Sequence, residues 1–109
     1  MSAQTVALHG SRSMSFGELL RRTHNLTANQ RLMIVLYNDP ELVGRNGVIE
    51  QSAKDLAGIV GWTPTMFSRI RQQLVDAGWL EQSGGRAQVK FFRLTPTAHG
   101  QARALRLVD

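Results

Sequence analysis

Residues 52–80, SAKDLAGIVGWTPTMFSRIRQQLVDAGWL, constrain this chain more than any other stretch. They contain two helix starts and two helix stops in close succession. Ser52 supplies an N-cap hydroxyl, with Asp55 three residues on in a capping-box-like spacing. Ala53, Leu56, Ala57 and Val60 then repeat at helical spacing, and Gly61 ends the run because it tolerates the left-handed backbone of a helix terminus. Thr63 and Pro64 start a second helix, since a hydroxyl at N-cap and a proline at the first helical position are both favoured. Phe67, Ile70, Leu74 and Ala77 predict its buried stripe, and Gly78 its end.

At about 100° per residue, the face opposite that stripe carries Thr65, Ser68, Arg69 and Gln72, with Asp76 near its end. Met66, Arg71 and Gln73 fall on the flanks. Short hydroxyls, a guanidinium and an amide are groups that read base edges: Arg grips guanine O6 and N7, Gln pairs with adenine, and Ser or Thr fit base or phosphate. A second helix with this outer face, set after a tight turn, is the arrangement that enters a major groove. The expectation is binding to double-stranded DNA. An ordinary solvated helix face is the alternative.

Charge agrees with that expectation. The chain of 109 residues carries a formal charge of +5. Residues 1–50 hold five Arg against four acids, and residues 51–109 hold eight Lys or Arg against four, so the excess lies in the half with the helix pair. A basic balance favours a polyanionic partner. The length predicts one domain. No cysteine is present, which excludes disulfides and thiol ligands within the chain. No apolar run has membrane-span length and the N-terminus lacks a secretion signal, so a cytoplasmic, nucleoid-associated protein is expected.

The remaining elements follow in order. Residues 1–14 read as a flexible arm, and 15–109 as the domain. Ser15 opens a short helix to about Thr23, with Phe16, Leu19 and Leu20 on its apolar side and Arg21 and Arg22 outside. Thr27 with Gln30 repeats the capping signal before a helix through Tyr37 that is apolar almost all round, hence the central core helix. Asn38-Asp39-Pro40 breaks it, and residues 48–50 suggest a short strand. Residues 79–82 and 87–94 read as two strands joined by a turn at Ser83-Gly84-Gly85-Arg86. Phe92 and Leu94 are expected inward, and Val89, Phe91 and Arg93 on the other face. Arg86 at the tip, with Lys90 nearer the base, can reach phosphates or a minor groove. A last helix is expected from Thr95-Pro96-Thr97 to Leu105 or Leu107.

Residues 52–100 resemble the winged helix-turn-helix domains of bacterial transcription regulators, the MarR family in particular. The resemblance rests on SAKDLAGIVG, on TPTMFSRIRQQLVDAGWL, and on GRAQVKFFRLTPTAHG, with Leu94-Thr95 closing the hairpin ahead of Gly100. It implies a mainly α fold with a small β-hairpin wing (α+β), base-facing Thr65, Met66 and Arg69, and a wing arginine at Arg86. The expected DNA-binding set is therefore Thr63, Thr65, Met66, Ser68, Arg69, Arg71 and Gln72 on the helix, with Arg86 and Lys90 on the hairpin. The C-terminal helix is shorter than the long dimerisation helix typical of MarR proteins, and the N-terminal helix is brief. Residues 26–63 also look like helix-turn-helix modules of plasmid and phage replication proteins.

The function expected is a sequence-specific transcriptional regulator, a repressor binding an inverted repeat as a homodimer. The alternative is a replication or partition protein filling DNA repeats cooperatively. A winged helix used for protein contacts would present an apolar or acidic face instead. No cofactor or catalysis is expected: His9, His24 and His99 match no metal-ligand spacing, and Gly84-Gly85 lacks the setting of a phosphate loop. The sequence identifies no small-molecule effector.

Overall fold

A computed structural model describes residues 14–44 and 46–96. The expected last helix, and residues 1–13 of the expected arm, lie outside them, as do His9 and His99. The described residues form an α+β unit of four helices and a three-stranded antiparallel sheet. The order is α1 (Phe16–Arg22), α2 (Ala28–Tyr37), β1 (Val48–Ile49), α3 (Ala53–Val60), α4 (Pro64–Asp76), β2 (Leu80–Arg86) and β3 (Val89–Leu94). None of these helices is long and apolar enough to cross a membrane.

Each helix begins on the hydroxyl expected of it. Ser15, Thr27, Ser52 and Thr63 accept hydrogen bonds from the amides of Glu18, Gln30, Asp55 and Met66, each at 3.1 Å. Only Thr27 completes the reciprocal box, because the Gln30 side chain accepts from the Thr27 amide at 3.0 Å. Glu18 turns to Arg22 instead, and Ser52 makes the first half of its box with Asp55.

α2 is the centre of the core, with Met33, Ile34, Leu36 and Tyr37 buried and with α1, α4 and β3 packed around it. α1 is held less firmly. Leu19 is its one buried residue, and Phe16 and Leu20, expected inward, are 64% and 36% exposed. Among the described elements α1 packs mainly on α2, which buries one line of its side chains, and Leu19 occupies it. Arg31 secures the end of α1, donating to the Leu20 carbonyl at 3.0 Å and to the Thr23 hydroxyl at 3.2 Å. A cation on the last carbonyls of a helix also complements its dipole. Met14, counted with the arm by sequence, is tied to the Asn38 side chain through its amide and its carbonyl.

The sheet order is β1-β3-β2, with Ile49 opposite Phe92 and Leu80 opposite Leu94. The hairpin differs from expectation. β2 runs on through Gly84 and Gly85 to Arg86, and the turn is Ala87-Gln88, with Ala87 at φ 56°. Gly84-Gly85 is not a turn but part of a bulge: Ser83 and Gly84 together oppose Phe91, and Gly84 takes the positive φ, 86°, that such an insertion uses. A Cβ on Gly85 would lie 2.6 Å from the Val89 carbonyl oxygen, closer than real contacts allow. Phe91, expected on the outer face, does lie there, yet it is buried like Phe92.

Two outcomes test this packing. Leu74→Ala should cost about 2–5 kcal/mol, because Leu74 is fully buried in the core cluster and its truncation leaves a cavity; chemical denaturation reads it directly. Gly85→Ala should loosen the hairpin without touching the helices, seen as loss of cross-strand β2–β3 contacts by NMR while α3 and α4 signals persist.

Candidate nucleic-acid interface

The candidate site is built on the turn between α3 and α4. Gly61 sits at φ 80°, and its amide and that of Trp62 both end on the Ala57 carbonyl. No atom would crowd a Cβ there, so it is the backbone angle that favours glycine. The chain leaves this turn into Thr63, whose hydroxyl caps α4, and Pro64 at the first helical position.

Phe67, Ile70 and Leu74 then face the core, and Leu56 and Ala57 of α3 join the same cluster. Ala77, expected as the last member of the stripe, is the exposed C-cap after Asp76. With that stripe buried, Thr65, Ser68, Arg69 and Gln72 stand in solvent on the opposite side of α4, as the helical period requires. Thr63 is exposed at the same end. Gln72 donates from its side-chain nitrogen to the Asp76 carboxylate at 2.9 Å, which fixes the direction of its amide. Gln73 pairs with Gln30 across to α2 at 3.0 Å. The first turn of α4 contains no acid, so the positive end of its dipole is unopposed, and Asp76 stands at the other end.

The other expected site residues are placed differently. Met66 and Arg71 sit on the two shoulders of the buried stripe, and both are half-buried. Met66 packs against the core. Arg71 does not reach out with Arg69: its guanidinium lies 4.0 Å from the centre of the Phe92 ring and 5.6 Å from that of Phe67. Helical spacing gave the shoulder position; β3, arriving from later in the chain, covers it. The Tyr37 hydroxyl and the Arg71 guanidinium are buried hydrogen-bonding neighbours, though neither the hydroxyl nor Arg71 Nη1 makes a bond of full geometry among the described residues.

On the hairpin, the expected pair splits. Lys90 is exposed and shares the alternation of Phe92 and Leu94, which puts it on the α4 side of the sheet near the turn. Arg86 opposes Val89 and lies on the other face, 5.8 Å from the Phe91 ring and 3.7 Å from the Glu50 carboxylate. That ion pair is exposed on both sides, and such pairs are worth about 0–1 kcal/mol, little hindrance to exchanging Glu50 for another anion. Arg93 is held by Glu81 at 2.8 Å. Of the chain's cations, Arg12, Arg45, Arg103 and Arg106 lie outside the described residues.

The described surface also has an apolar groove of about 600 Å³, lined by Phe16, Leu32, Val35 and Ile59 among others. Only Asn38 and Asp39 bring polar side chains to it, so it offers no constellation for acid–base or nucleophilic chemistry. Among the described residues no group of His, Cys, Asp and Glu could hold a metal ion.

No protein-family model, curated protein or solved structure matches this chain. The candidate interface therefore rests on its residues and their geometry.

Tyr37 gives a direct check on the core beneath the interface. Burial pushes its phenol above the ordinary value of 10.0, and the neighbouring Arg71 guanidinium pulls the other way. As pH climbs past 10 the unfolded chain loses this proton first, so the stability it contributes is whole below that pH and declines above it. Tyr37 is the only tyrosine. Phenolate absorbance should therefore rise at higher pH in the native protein than in denaturant, with unfolding free energy falling over the same range.

Proposed function

We propose that this protein is a sequence-specific, double-stranded DNA-binding transcriptional regulator with a winged helix-turn-helix domain similar to that of MarR proteins. One observation carries the reading: α4 buries Phe67, Ile70 and Leu74 and leaves Thr65, Ser68, Arg69 and Gln72 together in solvent after a tight, capped turn. In this reading α4 lies in the major groove with its acid-free first turn leading and Asp76 held away from the phosphates. Arg69 takes guanine O6 and N7 through two parallel hydrogen bonds. Gln72, its amide oriented by Asp76, reads a neighbouring base, and the Thr63, Thr65 and Ser68 hydroxyls serve base or phosphate. Lys90 and Arg86, on opposite faces of the wing, contact the backbone.

A single module of this size buries about 600–1,000 Å² of its surface on DNA, too little for high specificity alone. We propose that two copies bind an inverted repeat, with recognition helices about 34–36 Å apart. A dimer seated on a promoter represses by blocking polymerase, with no activation surface required.

Selection of bound duplexes from a random pool, with the complex sized by light scattering, tests this. A short inverted repeat holding one dimer supports the repressor reading. Tandem repeats that fill with many copies would move the function to replication or partition, and no enrichment would remove DNA recognition altogether. On the selected site, Arg69→Ala should cost about 1–3 kcal/mol and relax preference at one base pair; an equal loss on every sequence would make Arg69 a phosphate contact.

A further inference from the structure

The hairpin is tied to α4 firmly at its base. The Trp79 amide donates to the Leu74 carbonyl at 2.8 Å, and the Thr95 hydroxyl donates to the Gly78 carbonyl at 2.6 Å. Leu80, Phe92 and Leu94 seat the same end in the core and β1 pairs with β3 as far as Phe92, so what these contacts do not fix is the angle of the half of the hairpin beyond Phe92. Farther along, α4 meets β3 through Arg71, whose guanidinium stacks 4.0 Å from the Phe92 ring centre and 5.6 Å from Phe67, one turn back on its own helix.

This is a costly residue to place there. The ion pairs of the described residues do not include Arg71; its buried polar neighbour is the Tyr37 hydroxyl, and no hydrogen bond of full geometry reaches its Nη1 among the described residues. An apolar side chain of the same length would fill that shoulder without the cost of desolvating a charge. What an apolar chain lacks is direction. A planar guanidinium prefers to lie over a ring face, so its contact with Phe92 restrains orientation as well as distance.

We infer that Arg71 is the positioning residue that sets the angle of the hairpin to α4, and so aims Lys90 and Arg86 at the duplex that α4 engages. The second half rests on the DNA-binding reading above; the first does not. Arg71 thus acts on DNA through the wing rather than by touching it.

The test uses Arg71→Met, which keeps the stem, and Phe92→Leu, which keeps the burial, with two readouts. In the free protein, amide hydrogen exchange should quicken at β2 and β3 in both variants and stay unchanged in α3. On the selected duplex, Arg71→Met should weaken binding about 2- to 30-fold, the range of a desolvated cation–π contact. Adding Arg86→Ala and Lys90→Ala to Arg71→Met should then cost nothing more, and the salt dependence of Arg71→Met should match that of the Arg86→Ala/Lys90→Ala variant. A loss of packing alone would leave the salt dependence at its wild-type slope. Additive effects, or hairpin exchange unchanged in both variants, would overturn the inference. Where Arg71→Met does not fold, Arg71→Lys, which keeps the charge without the plane, gives the same two readings. If the wild-type chain binds no duplex, the proposed function falls while hydrogen exchange still decides whether Arg71 sets the hairpin.

Discussion

The burial of one stripe on α4 governs the rest of the molecule. Phe67, Ile70 and Leu74 sit against α2 and α3 in the same cluster as Ile34 and Leu56. Three side chains at that spacing leave the helix one rotation about its axis, because turning it by a residue would expose Phe67 and bury Ser68 or Arg69. The outward face is therefore a consequence of the inward one. The caps serve the same end from outside the core: Thr63 fixes where α4 begins and Gly61 fixes the direction from which it is approached. A face fixed in rotation and in entry point is one that can be matched to a groove.

The sheet extends that face while remaining a separate lever. β1 pairs with β3, so the segment between α2 and α3 anchors the strand that carries Lys90, Phe92 and Leu94. Below this, the polar atoms of Tyr37 and Arg71 meet in an otherwise apolar core. Burying a guanidinium beside a single phenol costs desolvation that an apolar side chain of the same size would not. The bulge at Ser83-Gly84 has a related effect, since a bulge bends its strand and raises the local twist.

Much of this was legible in the sequence, and the boundary between what was and was not has a physical cause. Caps are chemistry between residues three apart, so Ser15, Thr27, Ser52 and Thr63 announced four helices correctly. The outward set Thr65, Ser68, Arg69 and Gln72 followed from period alone. Gly84-Gly85 misled because a glycine pair suits a turn and a bulge equally well, and only the partner strand decides between them. Arg71 misled because its shoulder of α4 is covered by Phe92, more than twenty positions later. Phe16 looked like core because its spacing to Leu19 is helical, yet among the described residues α1 packs mainly on α2, which buries Leu19 and leaves Phe16 exposed. Burial by distant elements leaves no mark in a local window, and Arg71 was misplaced for that reason, whereas Ala77 was misplaced locally because α4 ends one residue earlier.

In the proposed function the solvent face of α4, with the hairpin beside it, meets double-stranded DNA. Chemical-shift mapping of the labelled protein with a short random-sequence duplex at low salt tests it most directly. The account predicts that perturbed amides and side chains centre on Thr65, Ser68, Arg69, Gln72, Lys90 and Arg86, and that shifts around Phe16, Leu32 and Ile59 do not move. A footprint centred on the apolar groove, or no footprint at any duplex concentration, would contradict it.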